Sequence, residues 1–587
     1  MRAMTTAAIV LCPELPPSGL RQGMHDPTIP LRLEDILNAP GISGEDNGIG
    51  VNITRSLISD ALKRIHTDGV NTVFRDSDRY PKMPSMHCLP VNKTTFWQFG
   101  AIFEDEGTIE GTYGVHKSIF LDQLGLQAPE DPTKAGAVRD DFRDRLWLVH
   151  GDQLTAIRIR AVKNEQTQAC RPYDRRDWLL GIPAWFHIQM NLLNTIVRTH
   201  WAPIVSKEEA HHCLRADTTM WGRSQCSREN AKYHLMEPII AQGFTARVVA
   251  LFYAAMRRKG YLIASSRDFF ERMDHVTDAI GSLTPDQFLE LVEDVRLAAF
   301  TLDAWNGNSS NKQPHNDIEF RTMCRMLQEV ELFLTIRHAL KHADIGMLRH
   351  FVDPLIVYFF GASQLNYGRE MLFYRWNLSS VNTPELQHAI LSSGLVNWPG
   401  RVTTHKAIDL GLEHLNGSCK IEMKCYKNST HDVDITFNRV CLSNTWVRAL
   451  RKRVEATFGE HMPGTHTTAA ALPDMFLLAR TLFTSDLVEP RSAEQLAGRK
   501  FFDSHNILQE GIEVLADKVD QFNQQHVRQS DTLRGSYPSN TPDDLNGFAN
   551  IEDYADQVGE GLDGVIDPTI DLTAIDTIDL TGIGVAD

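Results

Sequence analysis

Asp152 stands in Gly151-Asp152-Gln153-Leu154-Thr155, just after the apolar run Leu146 to Val149. An acid at a strand's end, with glycine beside it for close backbone approach, is a common way to present carboxylate oxygens to a divalent cation. The same residue there is also a good helix N-cap, and both readings stay open. A second group lies on Trp185 to Trp201, whose Trp185, Ile188, Leu192 and Ile196 recur at helical spacing. His187, Asn191, Asn194 and Arg198 then share the opposite, polar face. Such a face lines a phosphodiester groove or is simply solvated. Later in the chain Asp409 and Glu413 are four apart, so a helix puts both carboxylates on one side. Like charges at that spacing repel unless a cation, or a lysine such as Lys406 or Lys420, lies between them.

Other constellations carry weaker signals. His338 and His342 have the spacing of a zinc helix, but Ala339 stands where a metalloprotease needs its general-base Glu. His211, His212, Cys213, Cys226 and His234 match no regular zinc finger. There is no P-loop, no GxSxG elbow and no GxGxxG ahead of a helix, which removes the main support for ATPase, α/β-hydrolase and dinucleotide chemistry. The basic triplets Arg257-Arg258-Lys259 and Arg451-Lys452-Arg453 read as helix-end charge or as DNA contacts.

These residues need elements to hold them. Strands and loops are expected up to about Asp122, including Val91 to Phe103, and a strand at Leu146 to Val149. Beyond it the pattern turns helical. Thr284-Pro285-Asp286-Gln287 predicts a capped helix start, Asp317 to Ala343 a long helix, and Pro384 to Ser393 a helix stopped by Gly394. Further helices are expected between Ser443 and Phe483 and from Ser504 to Arg528. The fold class expected is α/β with a large helical insertion, a helical C-terminal part and a disordered acidic tail.

Charge separates the tail from the body. Lys and Arg number 59 against 75 Asp and Glu, for a net −16, and twelve of those acids lie between Thr541 and Asp587, where there is no Lys or Arg. The first 540 residues therefore carry only −16 + 12 = −4. Bulk charge argues against a protein that coats nucleic acid, while a local groove remains compatible with it. Nine cysteines without a paired CxxC favour a reducing compartment over a disulfide framework. No uninterrupted apolar run reaches bilayer-spanning length, so no membrane partner is expected, and Thr6 to Cys12 makes a poor signal peptide. The tail repeats a motif: Val565-Ile566-Asp567-Pro568-Thr569, then Ile570-Asp571-Leu572-Thr573, then Ile578-Asp579-Leu580-Thr581. Alternating β-branched and acidic residues suit addition as an edge strand to a partner's sheet. The repeats resemble the SUMO-interacting motif, departing from it at Thr569, Thr577 and Pro568. SUMO or SUMO-modified proteins are the partners this implies.

Several body segments resemble, in order, the fungal family known as domain of unknown function 6589. They are Glu106-Gly107-Thr108-Ile109-Glu110-Gly111, the Asp152 block, Pro183-Ala184-Trp185-Phe186-His187-Ile188-Gln189-Met190, Asn366-Tyr367 with Glu370-Met371-Leu372, and Glu413-His414-Leu415-Asn416. The family has the look of transposase-like proteins of mushroom-forming fungi. The resemblance thus implies an RNase H-like core over residues 123–440, interrupted by a helical insertion at about 205–380. A mixed strand and loop region over 1–122, a helical region over 441–528 and the tail over 529–587 complete the organisation. Asp152 and Glu413 would match two acids of a metal-binding set for Mg²⁺, with His187 beside the metal or phosphate and DNA as substrate. An Asp-Asn pair is expected upstream of the region that Met4-Thr5-Thr6-Ala7 resembles, so Asp76 or Asp78 would have to replace its acid. On that ground the leading expectation is a nuclear, non-catalytic interaction factor derived from a transposase-like ancestor and recruited through its tail. A Mg²⁺-dependent nuclease or strand-transferase is the alternative, and a cytoplasmic location follows if the tail motif does not act.

Overall fold

The computed structural model describes residues 5–527 apart from 13, 16–18, 40–41, 43–47, 66–79, 129–139, 170, 172, 203–211, 224, 230, 262–278, 309–316, 425–432, 459–470 and 498–500. Asp76, Asp78 and every tail residue of the Ile-Asp-Leu-Thr repeats lie outside the described residues. The fold is mostly helical, more so than an α/β expectation suggests, and its strands form small two-stranded sheets. β1 (Ala8–Leu11) pairs antiparallel with β2 (Thr95–Gln98), Ala8 opposite Gln98. β3 (Trp147–Gly151) pairs in parallel with β4 (Leu179–Pro183), Gly151 opposite Pro183. β5 (Leu395–Val396) pairs antiparallel with β6 (Lys406–Ala407). Among the described residues no strand ladder joins the three pairs.

Parallel strands need a crossover, and the helix Gln153–Glu165 supplies it between β3 and β4. A β-carbon on Gly181 would lie 3.1 Å from Ile159, so the glycine lets the crossover helix press onto β4. A small aromatic core fixes this unit: Phe120, Phe142, Ile159, Trp178 and Leu179 are buried together, with the Phe120 and Trp178 rings edge to face at 4.7 Å. Another cluster, Val396, Trp398 and Leu415 with Phe96 against it, ties β2 and β5 to the helix Ile408–Lys424.

The main core forms around the helix Tyr233–Arg258, which is apolar on nearly every side and continuously buried from Gly243 to Met256. By length and composition it could cross a bilayer, yet here its side chains are enclosed by the fold. Arg247 is its buried charge, held in a two-bond fork by the buried Asp217 at 2.8 and 3.0 Å. The predicted helix ends are present. Thr284 and Gln287 cap each other, Asp317 caps Ile318–His342 while pairing with Arg491, and Thr383 caps Pro384–Ser393.

The C-terminal helix Ile507–His526 crosses Val352–Gly361 at backbone contact. A β-carbon on Gly361 would lie 1.8 Å from the Ile507 carbonyl oxygen, and one on Gly511 would lie 2.1 Å from that of Val357. Rigid main chain cannot retreat as a side chain can, so any larger residue must part the helices. Gly511→Ala is expected to destabilise the protein by about 2 kcal/mol or more and lower its thermal unfolding midpoint. Gly23→Ala, which would meet nothing within 4 Å, should leave that midpoint unchanged.

Candidate functional site

β3 delivers Asp152 to the mouth of the crossover turn, where its Oδ1 accepts from the Thr155 amide at 2.8 Å. It is therefore the N-cap of the crossover helix. A β-carbon on Gly151 would fall 2.6 Å from Thr155, so the turn is tight enough to require the glycine. Capping engages one carboxylate oxygen, and the residue still faces a cavity of about 1890 Å³ that Glu106, His187, Asp409 and Glu413 also line. β1, β3 and the helix Ile408–Lys424 form much of its wall.

His187 is positioned by a more elaborate device. β4 runs into the helix Trp185–His200, anchored by the buried Trp185, whose indole donates to the Tyr374 hydroxyl at 2.9 Å. This helix has no cap from its own N-cap residue, Ala184. Asp409 fills the role from a distant part of the chain: its carboxylate accepts from the Phe186 amide at 3.1 Å, the His187 amide at 3.0 Å and His187 Nδ1 at 2.9 Å. Orphan amides and the positive end of the helix dipole both favour an anion there. The repulsion expected between Asp409 and Glu413 is thus relieved on the Asp409 side by a histidine, rather than by a lysine. Asn191 is buried and turned back onto the His187 carbonyl, so the polar face divides into a buried half and a half exposed at Arg198.

Electrostatics bind these residues into one unit. Burial disfavours charge on the His187 ring, but the hydrogen bond and charge of Asp409 prevail, with Asp152 and Glu413 adding to them, and its pKa rises to about 9. Glu413 is pushed up by burial, then pulled back by His187 and Lys420 and pushed again by Asp409 and Asp152, with a net upward shift. Glu106 rises to about 7 through burial and the negative charges of Asp152, Asp105 and Glu413. His150, on β3 beside them, stays neutral because burial lowers it to about 4. Its Nε2 lies 2.8 Å from the Ser393 hydroxyl, whose single proton goes to the Ala389 carbonyl at 2.6 Å, so the ring donates from Nε2. Across the cavity, Thr6 donates to the Asn416 side chain at 2.6 Å, linking the chain before β1 to the helix carrying Glu413.

Asp152, His187 and Glu413 therefore line one cavity. Glu106, the first residue of one segment that carries the resemblance, joins them in the lining. It sits in a turn just before the helix Ile109–Lys117, and nothing in its local spacing separates it from an ordinary surface acid. Hard carboxylate oxygens suit Mg²⁺ or Mn²⁺. Among the described residues, no ion pair engages Glu106, Asp152 or Glu413, and no three acidic, histidine or cysteine side chains converge at metal-ligand geometry. Of the zinc candidates His211 lies outside the described residues, while His212 Nε2 bonds the Leu487 carbonyl, Cys213 caps the helix Leu214–Met220, and His338 stacks on His342 at 3.9 Å. The triplet Arg257-Arg258-Lys259 is paired with Asp486, Glu489, Glu290 and Asp294, which makes it structural charge.

Residues 52–466 match the family described as "Family of unknown function (DUF6589)". No curated protein and no solved structure matches the chain.

Because the folded-state pKa of His187 lies above the ordinary 6.5, the stabilisation from its charge is fully present below pH 6.5 and is lost as pH rises through about 9. An NMR titration of the His187 ring should give a midpoint near 9, and Asp409→Asn should bring that midpoint below 6.5, since burial then acts with less opposition. A His187 midpoint near 6.5 in the unsubstituted protein would contradict the charged pair.

Proposed function

The chain belongs to the DUF6589 family, and we propose that its acidic cavity handles phosphodiesters with a hard divalent cation, on a core of RNase H-like kind. The observation that carries this reading is the convergence of Asp152 and Glu413, 413 − 152 = 261 positions apart, on one cavity in which each carboxylate raises proton affinity within a shared cluster. An acid at the end of a parallel strand, followed by a crossover helix and opposed by a late helical acid, supports the core assignment. Asp152 and Glu413 would hold the cation, and Glu106 lies within electrostatic reach of both. Bound there, the cation would activate the attacking oxygen and neutralise charge developing on the phosphate. His187, cationic at neutral pH, attracts a phosphate oxygen and keeps its proton through ordinary working pH because Asp409 holds it. Glu106, poised near 7, binds or gives up a proton in that same range.

Calorimetric titration with Mn²⁺ tests the reading directly. A cation entering the cluster must displace the proton on Glu106, so binding at pH 6.5 should release about one proton and binding at pH 8.5 close to none. Asp152→Asn and Glu413→Gln should each weaken binding by roughly 10- to 100-fold and abolish Mg²⁺-dependent nicking of a DNA duplex. Failure of millimolar Mn²⁺ to bind the unsubstituted protein would end the proposal.

A second reading comes from the tail. We propose that Ile570, Asp571, Leu572 and Thr573, with Ile578, Asp579, Leu580 and Thr581, add as edge strands to SUMO or a SUMO-modified partner in the nucleus, whether or not the cavity cleaves. The repetition of Ile-Asp-Leu-Thr in a segment without a basic residue supports it. Replacing Ile570, Leu572, Ile578 and Leu580 with Ala should abolish retention on immobilised SUMO, and equal retention would refute it.

A further inference from the structure

A second recess, of about 780 Å³, opens at the other end of the Trp185–His200 helix from His187. Arginine dominates its charged lining, whereas the first cavity mixes Glu106, Asp144, Asp152, Asp409 and Glu413 with Arg21, Arg145, Arg158 and Lys420. Arg198 comes from the end of that helix, Arg215 from the helix Leu214–Met220, and Arg223 and Arg228 from the loop that follows. Trp201 and Phe502 also line it. Arg223 is neutralised by Asp474, Nη2 to Oδ2 at 2.5 Å. Among the described residues Arg198, Arg215 and Arg228 have no carboxylate at ion-pair distance, and Glu229 is the acidic residue in the lining. Thr218 and Thr219 in the same wall direct their hydroxyl protons to the Arg215 carbonyl at 3.0 and 2.8 Å, so guanidinium groups are the principal charged donors that remain.

Gathering guanidiniums without matching acids raises electrostatic energy unless an anion offsets it, and the planar arginine fork fits phosphate oxygens better than other common anions. The aromatic side chains add a second preference. Phosphate-binding cations beside flat apolar rings are the combination that holds a nucleotide, its phosphate on the cations and its base against a ring. The recess volume lies within the range of small-ligand clefts. We propose that this recess binds a nucleoside phosphate unit, free or as part of a single strand, through Arg198, Arg215 and Arg228. The site is distinct from the acidic cavity and does not depend on its chemistry.

Two probes distinguish the sources. A fluorescent adenosine diphosphate reports free-nucleotide binding, and a 5′-labelled twelve-residue oligothymidylate reports strand binding, both read by anisotropy with the full chain. Arg198→Gln and Arg228→Gln, at exposed positions, should each weaken whichever probe binds by about tenfold. The triple variant with Arg215→Gln should weaken it at least ~100-fold and, for the oligonucleotide, reduce the slope of log affinity against log salt by about 2. Circular dichroism and an unchanged melting midpoint guard against unfolding, and titrations without divalent cations keep the first cavity from contributing. Binding of the nucleotide alone identifies a free-nucleotide site, and binding of the oligonucleotide identifies a strand site. If neither probe binds, or if the folded triple variant binds as the unsubstituted protein does, the proposal is overturned.

Discussion

The carboxylate of Asp409 is the point on which the acidic cavity depends. It enters the N-terminus of a helix that has no side-chain cap from its own sequence, and takes two backbone amides and an imidazole N–H at once. Those amides would otherwise lie buried without partners, which a fold tolerates poorly. The same contact joins Trp185–His200, which continues from the β3–β4 unit, to Ile408–Lys424, which carries Glu413 one turn beyond Asp409. One buried anion thus fixes the relative position of Asp152, His187 and Glu413, although no strand ladder spans the cavity among the described residues.

This arrangement also explains why the cavity holds charge at all. An acidic cluster in an enclosed recess should protonate, and Glu106 and Glu413 do shift that way. Asp409 holds the His187 ring through Nδ1, and the resulting imidazolium moderates Glu413. The cluster is therefore balanced between holding protons and holding a cation. Removing the histidine's charge would push it toward protonation, and adding a divalent ion would push it toward full ionisation. Hydrogen bonds from neutral groups would not give that responsiveness.

Much of this organisation can be read from local sequence, and the rest cannot, for an identifiable reason. Helix starts and stops are short-range: Thr284 with Gln287, Asp317, and Thr383 with Pro384 act within a turn, so their types and spacing announce them. Asp152 is legible both as a cap and as a strand-end acid because those properties are local as well. Glu106 is not, since its importance arises from Asp152 and Glu413, which lie far along the chain. The partner of Asp409 escapes notice too. Spacing exposes the repulsion between Asp409 and Glu413 and points to nearby lysines, but the relieving group comes from a helix more than two hundred residues earlier.

Positive charge shows the same contrast from the other side. The contiguous triplet Arg257-Arg258-Lys259 stands out in sequence and proves to be tied down by four acids from other elements. Arg215 and Arg228 are scattered singly and Arg198 stands out only as part of one helix's polar face, yet the fold assembles all three beside one recess without matching carboxylates. A run of like charges on one helix end is readily solvated or paired, because its neighbours on other elements are free to be acidic. Like charges brought together from separate elements into a recess have no such local remedy, and what balances them must come from outside the described fold. The net −16 of the chain is silent on this distinction: it sums a tail holding twelve acids with a body in which one recess holds a carboxylate cluster among bases and another gathers arginines.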